Sequence, residues 1–243
     1  MDARAWGKKE WRAEILGRRA RVAADERDRE AAGLAASMGA VLELACRGAS
    51  GPVAAPSAAD PRDSARNTST STSIPPAPAG GTIAGNSAGS DDPWICAYVP
   101  VGGEPGSAAM LDALRAGGAR VLLPVTGDPG ALEWAEYTGA AGLVRGRFGL
   151  REPNGDRIPD AIGLARVVLV PAVAVDRRGV RLGRGAGYYD RSLGACRADV
   201  RLVAVVRDDE VVAELPEEAH DHRMGWALTP FGGLRRLGDT GGN

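Results

Sequence analysis

The sequence predicts an α/β fold: a three-layer, Rossmann-like sandwich with a mostly parallel sheet, N-terminal helices and a disordered insertion. Beyond residue 93, short apolar runs alternate with helical or loop segments, an order typical of α/β proteins. The apolar residues of these runs occupy consecutive rather than alternate positions, which indicates strands covered on both faces. A chain of 243 residues, 44% of them hydrophobic, is long enough to bury one such core.

The individual elements follow from local patterns along the chain. Residues 8–46 carry apolar side chains at helical separations and predict two helices that meet near Ala24 and Asp25. Strands are expected at residues 94–99, 120–125, 167–175 and 202–206. Helices are expected at residues 107–116 and 187–193, and residues 211–215 fit either a short strand or a helical turn.

Residues 47–93 interrupt this pattern and predict a disordered insertion within one domain of residues 8–230. Ala, Ser, Thr, Gly and Pro dominate the segment, which cannot bury enough apolar area to offset the entropy of ordering it. A hydrolase-like G-x-S-x-G at residues 85–89 and a glycosylation-like triplet at Asn67 fall inside it. Both are set aside because no strand, helix or sign of secretion accompanies them. The Gly-rich residues 231–243 predict a flexible tail.

Charge and cysteine content exclude several classes of function. The formal net charge is -1, so no global field draws the protein to nucleic acid or to an anionic membrane. Cys46, Cys96 and Cys196 stand too far apart for a zinc ribbon or a disulfide scaffold. The chain has no signal-like apolar start and no apolar run of about 18 residues. We therefore expect a cytoplasmic monomer whose partners are small molecules, with neither nucleic acid nor membrane among them.

The segment that follows the third predicted strand carries the clearest chemical signal. There a buried strand leads into a basic, glycine-rich turn and then into a short helix. Gly183, Gly185 and Gly187 allow backbone conformations that other residues disfavour, and they let the main chain approach a ligand closely. Amides at the start of the helix would then face an anion, while Arg181 and Arg184 supply charge-assisted hydrogen bonds. These features predict a phosphate-binding turn.

Other interpretations of this turn explain less of it. It is neither a Walker loop, which would need Lys-Ser or Lys-Thr after its last glycine, nor G-x-G-x-x-G, which would need glycine at position 188. A hairpin with solvated arginines would account for the glycines and arginines alone. Tyr188, Tyr189 and Asp190 favour a binding site, because a turn without function needs no pair of aromatics and a carboxylate there.

Residues 181–190, R-L-G-R-G-A-G-Y-Y-D, resemble the signature of the 5-formyltetrahydrofolate cyclo-ligase family. The resemblance implies that this segment binds ATP and that Asp190, which ends it, takes part in binding magnesium (Mg2+). The family usually has Gly or Lys in place of Ala186. The residues that the resemblance assigns to ATP are Arg181, Leu182, Gly183, Arg184, Gly185, Ala186, Gly187, Tyr188 and Tyr189.

A segment near the N-terminus agrees with this resemblance. Residues 8–12, K-K-E-W-R, are similar to a family element whose basic residues contact ATP phosphates, with tryptophan in place of the usual leucine. The similarity implies that role for Lys8, Lys9 and Arg12. Taken alone, the same five residues fit the start of a helix with a solvated, charged face.

The segment after the insertion resembles the part of the family that lines the folate pocket. Residues 98–107 are similar to a family strand followed by a Glu-x-x-Thr turn. The similarity implies substrate contacts for Val99 and Glu104, joined by Tyr188 of the signature, although Ser107 replaces the usual threonine. Without the resemblance, Glu104 fits a carboxylate on a surface turn.

Two later segments complete the resemblance. Residues 148–153 look like a family Gly-Ile-x-Glu-Pro element, which we expect near the pocket. Residues 215–221 match a Leu-Pro-x-x-x-His-Asp element, which implies that Asp221 is a second magnesium-associated carboxylate. His220 and His222 flank it, but two histidines without a cysteine partner are a poor zinc set. Gly225 stands where the family usually has another aspartate.

The resemblance implies an ATP-dependent conversion of 5-formyltetrahydrofolate to 5,10-methenyltetrahydrofolate, with release of ADP and phosphate. Phosphorylating the formyl oxygen would turn it into a leaving group, so that a neighbouring nitrogen can close the ring. Such a step asks mainly for alignment and for charge neutralisation, here by Arg181 and Arg184. Two alternatives stay open: a non-catalytic nucleotide or folate binder, and a sugar-phosphate isomerase or acyl transferase-like enzyme on a similar fold.

Overall fold

The computed structural model describes residues 6–47, 92–127, 130–219 and 221–238. The segment expected to be a disordered insertion lies outside these residues except at its two ends, and so do both motif matches within it. Its disorder therefore stays a prediction.

The described residues fold into twelve strands and five α-helices, with short 3-10 turns between some of them. The strands are β1 (Trp94–Cys96), β2 (Arg120–Val125), β3 (Glu133–Glu136), β4 (Leu143–Arg145), β5 (Arg151–Pro153), β6 (Val167–Pro171), β7 (Ala174–Asp176), β8 (Arg181–Leu182), β9 (Arg201–Val205), β10 (Val211–Val212), β11 (Trp226–Thr229) and β12 (Gly233–Arg236). The helices are α1 (Lys8–Arg19), α2 (Ala24–Ala36), α3 (Met38–Cys46), α4 (Ala108–Ala116) and α5 (Tyr188–Leu193).

Seven strands form the main sheet in the order β12-β11-β9-β6-β1-β2-β3. The five central strands are parallel to one another, and an antiparallel strand closes each edge. The predicted α/β fold with a mostly parallel sheet is therefore confirmed. The chain leaves β1 toward one edge and returns at β6 to build toward the other, so the strand order reverses between β1 and β6. Open α/β sheets bind ligands outside the carboxyl ends of their strands at such a switch point.

Both faces of the main sheet are buried, which explains the consecutive apolar residues of the central strands. In β6, Val167 and Leu169 pack into the cluster formed with α2, α3 and α4. Val168 and Val170 point to the opposite face, where they pack with the 3-10 turn near Ile162 and with α5. Because side chains alternate between faces along a strand, a strand covered on both faces must be apolar throughout.

The first helix packs beside a smaller, three-stranded sheet of order β10-β7-β8. Ile15 of α1 is fully buried against Val173, Val180 and Leu182. Since β8 leads directly into the glycine-rich turn, this packing brings the polar side of α1 next to that turn.

Several element boundaries differ from the sequence prediction. The N-terminal region contains three helices rather than two, with a second break at Ser37. The strand expected at residues 167–175 is two strands in different sheets. Its break follows Pro171, which has no N–H to donate to a neighbouring strand. Of the strand expected at residues 94–99, β1 contains only 94–96, and residues 211–212 form the short strand β10.

Both edge strands of the main sheet, β3 and β12, were absent from the sequence prediction. The prediction of a flexible tail from residue 231 is wrong for Gly233–Arg236, which pair antiparallel with β11. These edge strands are four residues long and partly polar, so they lack the apolar run by which the central strands were found. Within the described ranges, no helix has the length and apolar character needed to cross a membrane.

Candidate active site at the switch point of the sheet

A cleft of about 320 Å³ opens where the carboxyl ends of β1, β2 and β6 meet. Tyr98 and Val99 follow β1, Thr126 follows β2, and Ala172 follows β6. The glycine-rich turn between β8 and α5 forms another wall. The cleft therefore lies at the switch point, where an open α/β sheet is expected to bind its ligand.

Most of the residues assigned from the sequence meet in this one cleft. Those that line it are Val99, Glu104, Arg181, Gly183, Arg184, Gly185, Ala186, Gly187, Tyr188, Tyr189 and Asp190. Leu182 does not, because its side chain is buried with Ile15 in the small core beneath α1. The element at residues 148–153 was expected near the pocket, and Leu150, Arg151 and Glu152 do line it.

Glycine is required at the three positions of the turn for different structural reasons. Gly185 and Gly187 have φ angles of 102° and 70°, in the region that favours glycine. Gly183 has no such angle, but a Cβ there would lie 2.7 Å from Nη1 of Arg181. A side chain at 183 would therefore displace that arginine, whereas one at 185 or 187 would strain the backbone.

Arg181 and Asp190 form an ion pair across the ends of the turn. Arg181 is buried, while the Asp190 side chain keeps 30% exposure and faces the cleft. The Nε of Arg181 is also buried, and it has no hydrogen-bond partner among the described residues. The pair closes the turn and places one carboxylate and one guanidinium at the same wall of the cleft.

Arg184 joins the glycine-rich turn to the turn that follows β1. Its Nε lies 3.0 Å from Oε1 of Glu104. Its Nη2 donates to the carbonyls of Val101 at 3.1 Å and Gly102 at 3.2 Å. The side chain predicted to bind ATP is thus in direct contact with the side chain predicted to bind folate.

Glu104 is a mostly buried carboxylate whose pKa is raised. Burial raises the pKa of Glu104, and this effect outweighs the amide of Val101 and the positive charges of Arg184 and Arg19, which lower it. The amide of Val101 donates to Oε2 of Glu104 at 3.0 Å, which fixes the carboxylate within its turn. A buried acceptor held in this way suits the N–H groups of a polar ring.

The polar side of α1 reaches the glycine-rich turn but does not line the cleft. Nε of Arg12 donates to the carbonyl of Gly183 at 2.8 Å. Lys8, one helical turn earlier, places its Nζ 2.8 Å from Oδ2 of Asp221. Lys9 points to the exposed side of the helix. Of the three basic residues assigned to ATP phosphates, Lys8 and Arg12 therefore lie on the side of α1 that faces the site.

The two carboxylates assigned to magnesium are not brought together by any contact of the described residues. Asp190 is paired with Arg181, whereas Asp221 accepts from Lys8 and, at 2.8 Å, from the amide of Glu218. Among the residues described, no group of three or more His, Cys, Asp or Glu is arranged around a metal position. Magnesium needs only one or two carboxylates when phosphates and waters supply the other ligands. Asp190 fits that requirement. His220, which flanks Asp221, lies outside the described residues.

The structure adds Thr126 and Glu152 to the lining of the cleft and places Trp134 beside Tyr189; none of these three had been assigned a role from the sequence. Glu152 is 7% exposed and accepts hydrogen bonds from the amide and hydroxyl of Thr126. The hydroxyl of Tyr189 is buried without a partner among the described residues, and burial raises the pKa of this phenol. The ring of Trp134 meets Tyr189 edge-on at 6.5 Å. Thr126 was identifiable in principle as the polar residue directly after a predicted strand, but Trp134 sits on an edge strand that gave no signal.

Comparison with known proteins agrees with this geometry. A model of the 5-formyltetrahydrofolate cyclo-ligase family matches residues 85–230. The chain belongs to this family. A 5-formyltetrahydrofolate cyclo-ligase of Mycolicibacterium smegmatis is 54% identical over 149 residues, which cover 59% of this chain and 76% of the relative. One of Escherichia coli is 32% identical over 141 residues, which cover 56% of this chain and 77% of the relative.

Solved structures of family members share the fold. The structure of a 5,10-methenyltetrahydrofolate synthetase from Aquifex aeolicus superposes with a TM-score of 0.64 at 23% identity, covering 97% of this chain and 95% of that one. A synthetase of the same name from Mycoplasma pneumoniae gives a TM-score of 0.59 at 14% identity, covering 93% and 98%. At these identities the likeness shows the fold alone.

Proposed function

We propose that the protein converts 5-formyltetrahydrofolate to 5,10-methenyltetrahydrofolate in an ATP-dependent reaction that releases ADP and phosphate. The observation that carries this proposal is the contact between Arg184 and Glu104 in the wall of the cleft. It joins a turn suited to phosphate with a turn suited to a polar ring. Two substrates bound on these turns would meet at one point, which a transfer between them requires.

The proposed chemistry begins at the formyl group, whose oxygen is a poor leaving group. Transfer of the terminal phosphoryl group of ATP to that oxygen gives a phosphorylated formyl intermediate and ADP. A neighbouring nitrogen of the folate then attacks the formyl carbon, the carbon–oxygen bond breaks, and phosphate leaves with the electron pair. The step needs no side-chain nucleophile, and its main requirements are alignment and stabilisation of negative charge.

Arg181 and Arg184 are the side chains proposed to stabilise that charge. Both line the cleft, together with the other residues of the segment 183–187. Lys8 and Arg12 would contact phosphate from the side of α1 that reaches the turn, and Lys9 would do so from the solvent side. Arginine suits this role because its planar group donates several hydrogen bonds to phosphate oxygens at once.

Magnesium, when bound with ATP, neutralises phosphate oxygens and helps to orient the transferred group. Asp190 is the carboxylate placed to hold it, since it keeps partial exposure and faces the cleft. We propose Asp221 as the second magnesium-associated carboxylate, a role that requires Lys8 to release it.

The folate side of the site is proposed to consist of Val99, Glu104 and Tyr188. Val99 is partly buried with the main core and presents an apolar wall. Glu104 supplies an acceptor for ring N–H groups, and Tyr188 supplies an aromatic face at the start of α5. This combination of apolar and aromatic walls with a few fixed polar groups is typical of small-molecule sites.

The main alternative is a family member that binds its ligands without turnover. Three departures from the family pattern support it: Ala186 in the glycine-rich turn, Ser107 before α4, and Gly225. A Cβ at Gly225 would meet open space, so the glycine has no packing reason there. The isomerase or acyl transferase alternative has no comparable support.

A turnover assay tests the proposal. The purified protein is mixed with 5-formyltetrahydrofolate, ATP and magnesium, and the absorbance of the methenyl product is followed. We expect growth of that absorbance only when ATP is present, with one ADP formed per product. A protein that binds both substrates yet forms no product would show the alternative to be correct.

A further inference from the structure

Four buried charged side chains form a network behind the cleft. They are Arg19 at the end of α1, Glu30 in α2, and Arg207 and Glu210 after β9, and they are only 3%, 5%, 5% and 2% exposed. Arg19 donates to both oxygens of Glu210 at 2.7 Å. Arg207 donates through Nε to Glu30 at 2.8 Å, and its own amide donates to Glu210 at 2.7 Å. The network is charge-balanced, with two positive and two negative groups.

The two arginines of this network also bind the main chain at both sides of the switch point. Nη1 of Arg207 donates to the carbonyl of Gly103 at 3.1 Å. Nη2 of Arg19 donates to the carbonyl of Ala172 at 2.7 Å. Gly103 immediately precedes Glu104, whereas Ala172 lines the cleft just after β6. The network therefore binds the main chain of two segments that form the cleft, one at Gly103 and one at Ala172.

Stability alone is a poor explanation for this arrangement. Burying ion pairs carries a large desolvation cost, and well-packed apolar residues at such positions are often equally stable or more so. An apolar side chain in place of Arg207 could not, however, donate a hydrogen bond to the carbonyl of Gly103. The turn has little backbone support of its own, because Gly102 and Gly103 have φ angles of 56° and 82° and one backbone hydrogen bond, from the amide of Glu104 to Val101 at 3.1 Å, closes it. Side chains therefore hold its carbonyls: Arg184 binds those of Val101 and Gly102, and Arg207 binds that of Gly103.

We propose that Arg207, anchored by Glu30, is a positioning residue that holds the turn of Glu104 in the geometry needed for the folate substrate. This inference rests on the proposed function, since it assigns a role within the folate side of the same site. Arg207 does not line the cleft and acts only through the main chain of Gly103.

The test removes both charges of the pair in one variant, Glu30→Met with Arg207→Met, so that no unpaired charge is left buried. Its control is Arg120→Met with Glu136→Met, which deletes an ion pair 2.5 Å long between β2 and β3, away from the turn of Glu104. We expect the first variant to keep a cooperative unfolding transition but to raise the KM for folate roughly 10-fold, since small displacements of binding groups have large effects. The KM for ATP should change less than about threefold in either variant.

Hydrogen exchange provides a readout that does not depend on turnover. In the first variant, the amides of Val101 and Glu104 should exchange faster, while those of Leu182 to Tyr188 should keep the rates of the parent. If the parent has no cyclo-ligase activity, the proposed function fails, and the exchange rates still decide whether Arg207 orders the turn. Unchanged exchange at Val101 and Glu104 in a folded variant would overturn the inference.

A second variant covers the case in which the double substitution does not fold. Arg207→Lys keeps a positive charge opposite Glu30, but one ammonium group cannot reproduce the fork that reaches both Glu30 and Gly103. It should raise the KM for folate and accelerate exchange of the Glu104 amide. Parent-like values of both quantities in Arg207→Lys would count against the positioning role.

Discussion

At the scale of single residues, the contact between Arg184 and Glu104 makes two assigned roles depend on each other. The guanidinium lies 3.0 Å from a carboxylate that is already difficult to ionise because it is buried. Removing the arginine therefore removes a side chain proposed to bind phosphate and also leaves a buried carboxylate with less compensation.

We expect Arg184→Ala to raise the KM for ATP strongly and to raise the KM for folate as well, whereas Glu104→Ala should mainly weaken folate use. Because the residues are in contact, the double variant should lose less than the sum of the two single losses. Steady-state kinetics of the four proteins measure this coupling. Arg197→Ala, which breaks only an exposed pair with Asp199, is the control and should leave both constants unchanged. Strictly additive losses would mean that the contact has no energetic consequence.

Glu104 also predicts a conflict between stability and activity. A carboxyl whose folded pKa is raised adds stability that is complete below its unfolded pKa and is lost as pH rises through the folded pKa. At neutral pH the ionised Glu104 therefore costs the fold some stability. We expect Glu104→Gln to melt at a higher temperature than the parent at neutral pH, while using folate less well.

The pH dependence makes this expectation specific to Glu104. The difference in melting temperature between Glu104→Gln and the parent should shrink on acidification toward the ordinary glutamate pKa of about 4.5. Thermal unfolding at a series of pH values measures it. A difference that grows on acidification would mean that the folded pKa is lowered, contrary to the burial of the side chain.

At the scale of elements, the site depends on a turn between a two-residue strand and a six-residue helix. Elements this short have little stability of their own, so the turn is held by its ion pair and by α1. Gly185 has a φ of 102°, and a Cβ there would lie 3.6 Å from Cζ of Arg12. Steric space is therefore available at Gly185, and the restriction comes from the backbone angle.

We expect Gly185→Ala to cost about 1 kcal/mol or more of folding free energy, or to shift the turn, because alanine avoids positive φ. In either case the KM for ATP should rise. Gly194→Ala at the end of α5 is the matched control, since Gly194 has a φ of -64° and open space around its Cβ position. Chemical denaturation and ATP kinetics of the two variants provide the comparison. Equal behaviour of the two would show that the conformation of Gly185 is not needed.

Among the elements, the central strands of the main sheet were predictable from sequence patterns, whereas the edge strands were not. Central strands were predictable because burial on both faces requires uninterrupted apolar residues, as in β2 and β9. The edge strands were missed because a strand with one neighbour and partial exposure tolerates Glu, as in Glu133–Glu136, and Arg, as in Gly233–Arg236. The break after Pro171 was readable from proline chemistry, but the apolar residues on both sides concealed it.

At the scale of the whole molecule, chain order could not reveal which distant segments meet. The resemblance placed Lys8, Arg12, Glu104 and the glycine-rich turn in one site, and the structure brings Glu104 and that turn into the cleft, with Arg12 bound to the turn. It did not predict that Lys8 would bind Asp221 or that Arg207 would hold Gly103. These contacts join residues about 100 to 210 positions apart, and no local pattern encodes such pairs.

The segment outside the described residues leads to a prediction about the whole chain. We expect deletion of residues 54–89 to leave folding and activity largely intact, because the free energy of closing a polar loop depends only weakly on its length. The residues left between Cys46 and Trp94 could still span roughly 35 Å when extended.

A variant in which residues 54–89 are replaced by a Gly/Ser sequence of equal length is the control for this deletion. Thermal unfolding and turnover of both proteins give the measurement, and loss of folding in the deletion but not in the replacement would show that length matters. Loss in both would show instead that this part of the sequence contributes to the fold, contrary to its composition.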